Sequence, residues 1–164
     1  MRQFVILISG CLNRVDAKSM HHASIRTADI FRAIAFYEHL GFVVCERFTA
    51  GITLGCWMEG LNGRIELLQV PQPRPAADAF GDEHYTGYYH LSFDLTAAAV
   101  SLPDWLGGLR SRLADLEPAQ PLTVLLEPTQ QIIGDRVYEV AFIADLDGLP
   151  LEFIRVLGDA FGER

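Results

Sequence analysis

From His21 to Thr27 the chain alternates between two faces. His22, Ser24 and Arg26 fall on one side, and Ala23, Ile25 and Thr27 on the other. A period of two is the signature of a strand with one wet and one dry face. Asp29 then stands where a helix N-cap belongs, ahead of "IFRAIAFYEHL". Ile30, Ile34 and Tyr37, with Phe31 and Ala35 beside them, make an apolar stripe at helical spacing, and Gly41 ends it. Residues 42–48, 52–58 and 64–70 read as strands, with a turn at Ala50-Gly51 and a hairpin signal in "LNG" at 61–63. The first half therefore predicts β-α-β-β-β.

Residues 71–87, "PQPRPAADAFGDEHYTG", break every period and read as a linker or lid. After them the order returns. "YYHLSFDL" at 88–95 alternates with His90, Ser92 and Asp94 on one face. Residues 97–116 read as a helix interrupted near Pro103 and Gly107-Gly108, in two short pieces. Residues 122–128, 136–144 and 149–157 supply three more strands, with the last turn at Asp147-Gly148. The chain is thus two copies of one module: "HASIR" answers "HLSFD", and "RIELLQV" answers "PLEFIRV". Two small sheets that each need a partner face are expected to pair. The predicted class is α+β, built of two tandem βαβββ modules forming a cupped mixed sheet. The divisions are an extension at 1–19, module 1 at 20–70, the linker at 71–87, module 2 at 88–157 and a tail at 158–164 within a single domain.

Composition narrows the function. The 164 residues are 50% hydrophobic and 21% charged, which is a foldable balance. A net charge of −8 repels phosphate backbones, so no nucleic-acid partner is expected. The apolar run Phe4–Ile8 is five residues, short of the ~7–15 of a secretory signal and the ~20 of a membrane span. It is read as an extra strand or a loosely attached extension, with no membrane partner. Cys11, Cys45 and Cys56 lack CxxC spacing and read as small buried hydrophobes of a reducing, cytoplasmic compartment.

Candidate chemistry comes from the repeat. Each module offers a histidine on its first strand (His22, His90) and a glutamate on its last (Glu66, Glu152). Glu66 stands between Ile65 and Leu67, and Glu152 between Leu151 and Phe153. An ionised carboxylate in such surroundings costs several kcal/mol unless it is paired or metal-bound. Two imidazoles and two carboxylates are a mixed N/O donor set suited to nickel, zinc, manganese, cobalt or ferrous iron. Strand parity sets His21 on the face away from His22, outside such a site. Trp57 and Trp105 are expected in the core or at an interface. Loop residues His84, Tyr85, Tyr88 and Tyr89 either line a pocket or pack on the core.

The stretches "HHASIRTADIFRAIAFYEHLGFVV", "RIELLQV", "YYHLSFDL" and "VAFIADLDGLPLEFI" together resemble the vicinal oxygen chelate superfamily, over about residues 20–157. That superfamily includes glyoxalase I, fosfomycin and bleomycin resistance proteins, and extradiol dioxygenases. The resemblance implies a divalent metal held by His22, Glu66, His90 and Glu152, a set most similar to that of glyoxalase I. It further implies a small substrate chelated through adjacent oxygens, with Glu152 first and Glu66 second as the catalytic carboxylate that moves a proton. Arg26 matches an arginine that glyoxalase I sets on its glutathione substrate. Small members of the family work as dimers, so a homodimer is expected, its site in one chain or across two. The alternatives are an iron dioxygenase using two His and one Glu, with Glu66 idle, and a non-catalytic resistance protein. Three departures stand out, the first being the broken second-module helix and the longer region at 97–135. Val70 replaces an asparagine that glyoxalase I carries, and the usual "DPDG" turn reads "DLDG" at 145–148.

Overall fold

A computed structural model describes residues 19–116 and 120–160. The proposed extension, apart from Ser19, and Cys11 within it lie outside the described residues. Strand β1 (Ala23–Thr27) leads into helix α1 (Ile30–His39), followed by β2 (Val43–Ala50), β3 (Thr53–Gly60) and β4 (Gly63–Gln69). The second module repeats this with β5 (Leu91–Asp94), α2 (Leu102–Ala114), β6 (Thr123–Ile133), β7 (Arg136–Ala144) and β8 (Pro150–Asp159). Each module forms a four-stranded mixed sheet. The strand orders are β1-β4-β3-β2 and β5-β8-β7-β6, so the duplication read from the sequence is a duplication of topology. In both, the first strand runs parallel to the last, and the other pairings are antiparallel.

Local chemistry explains the element ends. Asp29 caps α1, its carboxylate accepting from the N–H groups of Phe31 and Arg32. Leu61 and Asn62 both adopt positive φ, +48° and +59°, making the two-residue turn that joins β3 to β4 and pairs Gly60 with Gly63. Gly60 is required there: a Cβ would stand 2.6 Å from the Gly41 carbonyl oxygen and 2.7 Å from Phe42 Cα. On α1, Ile30, Ala33, Ile34, Phe36 and Tyr37 are buried, whereas Phe31 is 66% exposed. The stripe is therefore rotated from the expected one by about one position.

The expected break in the second helix is absent. Ser101 caps α2 through the Asp104 N–H, Pro103 falls in the first turn where its missing N–H goes unused, and Gly107-Gly108 continue the helix. Buried Leu102, Leu106, Leu109 and Leu113 supply the packing that offsets the poor helix propensity of the glycines.

One core joins the modules. Ile25, Met58, Ile65 and Leu67 of the first sheet belong to one buried cluster with Phe93, Ile143, Leu151 and Phe153 of the second, with both helices contributing. Trp105 packs on Phe153, ring centroids 4.2 Å apart, as a core residue. A buried polar tie crosses the same seam. The Tyr37 hydroxyl donates to Asp145 Oδ2 at 3.0 Å, while Asp145 Oδ1 accepts from the N–H groups of Asp147 (2.9 Å) and Leu149 (2.8 Å). The "DLDG" turn is thereby folded around its first aspartate and anchored to α1 of the other module. The next carboxylate, Asp147, accepts from the Ala28 N–H at 3.1 Å.

Burial pushes the Asp145 carboxyl above its ordinary range, against the lowering influence of the Leu149 N–H, the Tyr37 hydroxyl and the Asp147 N–H. The folded chain thus holds this proton more tightly than the unfolded chain. Its contribution is complete below the ordinary aspartate range and declines as pH rises through the raised value. Asp145→Asn should flatten that slope in urea denaturation followed against pH. Tyr37→Phe leaves a buried carboxylate oxygen without its donor and should cost about 1–3 kcal/mol; an unchanged urea midpoint would show that the tie contributes nothing.

Candidate metal centre

The two sheets turn one face to the shared core and the other away from it. Glu66 lies on the outward face of β4, between core residues Ile65 and Leu67, and Glu152 takes the same place on β8. Register fixes the neighbours. Glu66 is opposite Ser24 on β1 and Trp57 on β3. Glu152 is opposite Ser92 on β5 and Phe142 on β7. His22 and His90 each sit one residue ahead of the first strand of their module, at the mouth of the parallel pair.

Each histidine meets the glutamate of its own module. His22 Nε2 lies 3.4 Å from Glu66 Oε2, and His90 Nε2 lies 3.3 Å from Glu152 Oε2. The side chains are matched in exposure as well, 27% and 15% for the first pair and 25% and 14% for the second. These separations are long for hydrogen bonds. They are what two ligand atoms ~2.1 Å from one tetrahedral cation would show, ~3.4 Å apart. The donor types and the spacing therefore fit a borderline divalent ion, two ligands from each module. His90 adds a further sign of an incomplete environment: its buried Nδ1 has no hydrogen-bond partner among the described residues.

The four residues do not converge. Among the described residues no three His, Cys, Asp or Glu side chains are grouped closely enough to hold an ion. One chain presents two separate His–Glu pairs. Both histidines open on a cavity of about 1140 Å³ that also takes in Arg26, Arg74 and Tyr88. Arg26 is exposed, and no carboxylate among the described residues lies within ion-pair distance of it, which leaves its guanidinium available. Tyr85 and Tyr89 line the same cavity, whereas the exposed His84 faces only Glu83.

Three residues belong to the site that sequence reasoning left outside it. Trp57 is not a core residue: its Nε1–H donates to Glu66 Oε1 at 3.0 Å. The two-residue turn at 61–62 was the available signal, because counting back from it places residue 57 opposite residue 66. His21 is not turned away from His22. The two Nδ1 atoms are 2.8 Å apart, and His21 Nε2 lies 2.8 Å from Arg64 Nη1. The strand begins only at Ala23, so alternation does not govern residue 21. Arg64, the third, only donates. It fixes the direction of the whole relay: the His21 Nε2 lone pair accepts, His21 Nδ1–H donates to His22 Nδ1, and the remaining His22 proton points from Nε2 to Glu66. A cation at that nitrogen would have to displace this proton.

Burial raises the Glu66 carboxyl, but hydrogen bonds from Ser24 (2.6 Å) and Trp57, with His22 and His21 nearby, outweigh it and leave the group below its ordinary range. Ionised Glu66 is thus held ready at neutral pH.

The paired βαβββ architecture with a His and a Glu in each half defines a class of small-molecule metal proteins. The chain belongs to the glyoxalase/bleomycin resistance protein/dioxygenase superfamily, whose family model matches residues 19–153. Solved structures agree in fold. A glyoxalase family protein from Bacillus cereus is 19% identical, with 90% of this chain and 100% of that one covered and a TM-score of 0.61. Trypanothione-dependent glyoxalase I of Leishmania major is 20% identical, covering 85% and 87%, with a TM-score of 0.57. A glyoxalase I variant from Zea mays is 20% identical over 83% of this chain and 44% of its own, with a TM-score of 0.59. Among curated proteins none matches the chain in sequence. No described helix is long and apolar enough to cross a membrane.

Ser24→Ala removes the shorter of the two hydrogen bonds to Glu66. The carboxyl should then titrate at higher pH, toward its ordinary value, in carbon-detected NMR of the metal-free chain. No movement would show that Ser24 does not hold the ionised form.

Proposed function

We propose that the protein is a metal-dependent lyase or isomerase of glyoxalase type, working in the cytoplasm on a small substrate that offers two adjacent oxygens. The observation that carries this reading is the pair of matched His–Glu contacts, 3.4 Å and 3.3 Å, at equivalent positions of the two modules. His22, Glu66, His90 and Glu152 would hold a divalent ion, which when bound supplies Lewis-acid polarisation of the substrate oxygens. Glu152 takes a proton from the substrate carbon and returns it to the neighbouring carbon, with Glu66 the second choice for that role. Arg26, without an ion-pair partner among the described residues, offers a fork for a substrate carboxylate.

The centre is completed by a second copy of the chain. Within one chain both sheets turn their inner faces to the shared core, and among the described residues no three of the candidate ligands are grouped closely enough to hold an ion, although both histidines open on one cavity. A two-fold dimer sets the first half-site of one chain against the second half-site of its partner, twice over.

Matched ligation by Glu66 distinguishes this reading from an iron dioxygenase, in which Glu66 would be idle. Nickel or zinc titration should show one ion per chain, with affinity falling by an order of magnitude or more in both Glu66→Gln and Glu152→Gln. Isomerisation of the methylglyoxal–glutathione adduct should fall about 10²–10⁴-fold in Glu152→Gln. A wild-type chain that takes up neither metal, or one that consumes oxygen with a catechol once loaded with ferrous iron, would overturn the proposal.

A further inference from the structure

The half-sites are built to one plan and differ in the residue facing the glutamate. Trp57 faces Glu66 across β3 and β4, and Phe142 faces Glu152 across β7 and β8. An indole carries an N–H donor and a phenyl ring does not. In the first module both carboxylate oxygens are engaged: Oε1 accepts from Trp57 at 3.0 Å and Oε2 from Ser24 at 2.6 Å. In the second module, Ser92 stands in register with Glu152 as Ser24 does with Glu66, yet it makes no hydrogen bond to Glu152 among the described residues. Among the described residues His90 is the one ion-pair partner of the Glu152 carboxylate, and the Phe142 ring packs edge-on against that histidine, centroids 5.1 Å apart.

Trp57 is itself held in place. Phe48 packs on it at 5.3 Å, His21 meets its edge at 5.2 Å, and the Arg64 guanidinium lies 5.8 Å from its ring centre. The Phe48 ring reaches over Gly55, where a Cβ would come within 2.4 Å of it. The indole donor is therefore fixed in position before any ligand arrives, and the carboxylate it holds has two directed donors where Glu152 has none among the described residues.

We propose that Trp57 is a positioning residue that pins Glu66 as the fixed carboxylate of the centre, a directed donor that Phe142 at the matching place in the second module does not offer Glu152. The inference rests on the metal reading above and goes beyond it. It sets the two glutamates apart by one difference between the modules. The asymmetry has a physical basis: a carboxylate held by two directed donors would present its remaining lone pairs to an ion in one fixed geometry and gain from those donors as a ligand.

The test is a mutant cycle on zinc affinity, measured by competition with a chromophoric chelator, and it needs no substrate. Loss of an outer hydrogen-bond partner of a metal ligand typically weakens binding about 10–100-fold. Trp57→Phe should therefore weaken zinc binding at least tenfold in the wild-type chain and equally in Glu152→Gln, but have no further effect in Glu66→Gln, where the pinned charge is already gone. Phe142→Trp, which gives Glu152 the missing donor, should tighten zinc binding, and the gain should vanish in Glu152→Gln. Circular dichroism and urea midpoints identify any variant that fails to fold; Trp57→Phe, which only shrinks a half-exposed ring, then carries the test alone. Equal losses from Trp57→Phe in all three backgrounds, or none in any, would overturn the proposal while leaving the metal reading intact. A wild-type chain without zinc affinity would instead sink the metal reading, and this inference with it.

Discussion

A carboxylate set among apolar strand residues must be given donors or a cation, and this constraint organises the protein. It is met twice. Glu66 and Glu152 stand on the last strand of each module, flanked on the core side by Ile65 and Leu67 or by Leu151 and Phe153. Parallel pairing with the first strand brings a histidine beside each of them. An all-antiparallel meander would put the first strand elsewhere and leave both charges without an imidazole.

The rest of the fold keeps the two pairs in a set relation. The shared core packs both sheets and both helices together, and the Tyr37–Asp145 tie locks α1 of the first module onto the turn that begins β8. Burial raises the pKa values of both partners of this tie, with the neighbouring charge adding to the effect on Tyr37. It therefore acts as a specific link within the seam rather than as a large source of stability. It holds Leu149 and Pro150 at the start of β8, two residues before Glu152. The same turn receives the Ala28 N–H from the end of β1, four residues beyond Ser24. Both half-sites are thus braced against one five-residue turn.

Much of this was legible in the sequence. Period-two alternation, the Asp29 cap, the "LNG" turn and the echo of "HASIR" in "HLSFD" lead to two modules of the observed order. The four candidate ligands lie in two His–Glu pairs at matching positions. Where reading failed, a local rule was overridden. The interrupted helix at 102–114 is one piece because four leucines bury on one side of it and outweigh two glycines. His21 was assigned by strand parity to a residue that precedes the strand. Trp57 is expected in the core or at an interface, although the turn at 61–62 already sets its register against Glu66. The relation between the half-sites was not legible at all, because no periodicity reports which of two outward faces meets which.

That relation is the central claim, and mixing chains tests it most directly. A His22→Ala chain keeps its second half-site, and a His90→Ala chain keeps its first. Each alone should bind zinc or nickel weakly. If the centre forms between two copies, co-refolding the two variants should restore one tight site per mixed dimer, counted by metal analysis of the isolated heterodimer. If the mixture binds no more tightly than its separate parts, the half-sites do not complete one another between chains, and the account is contradicted.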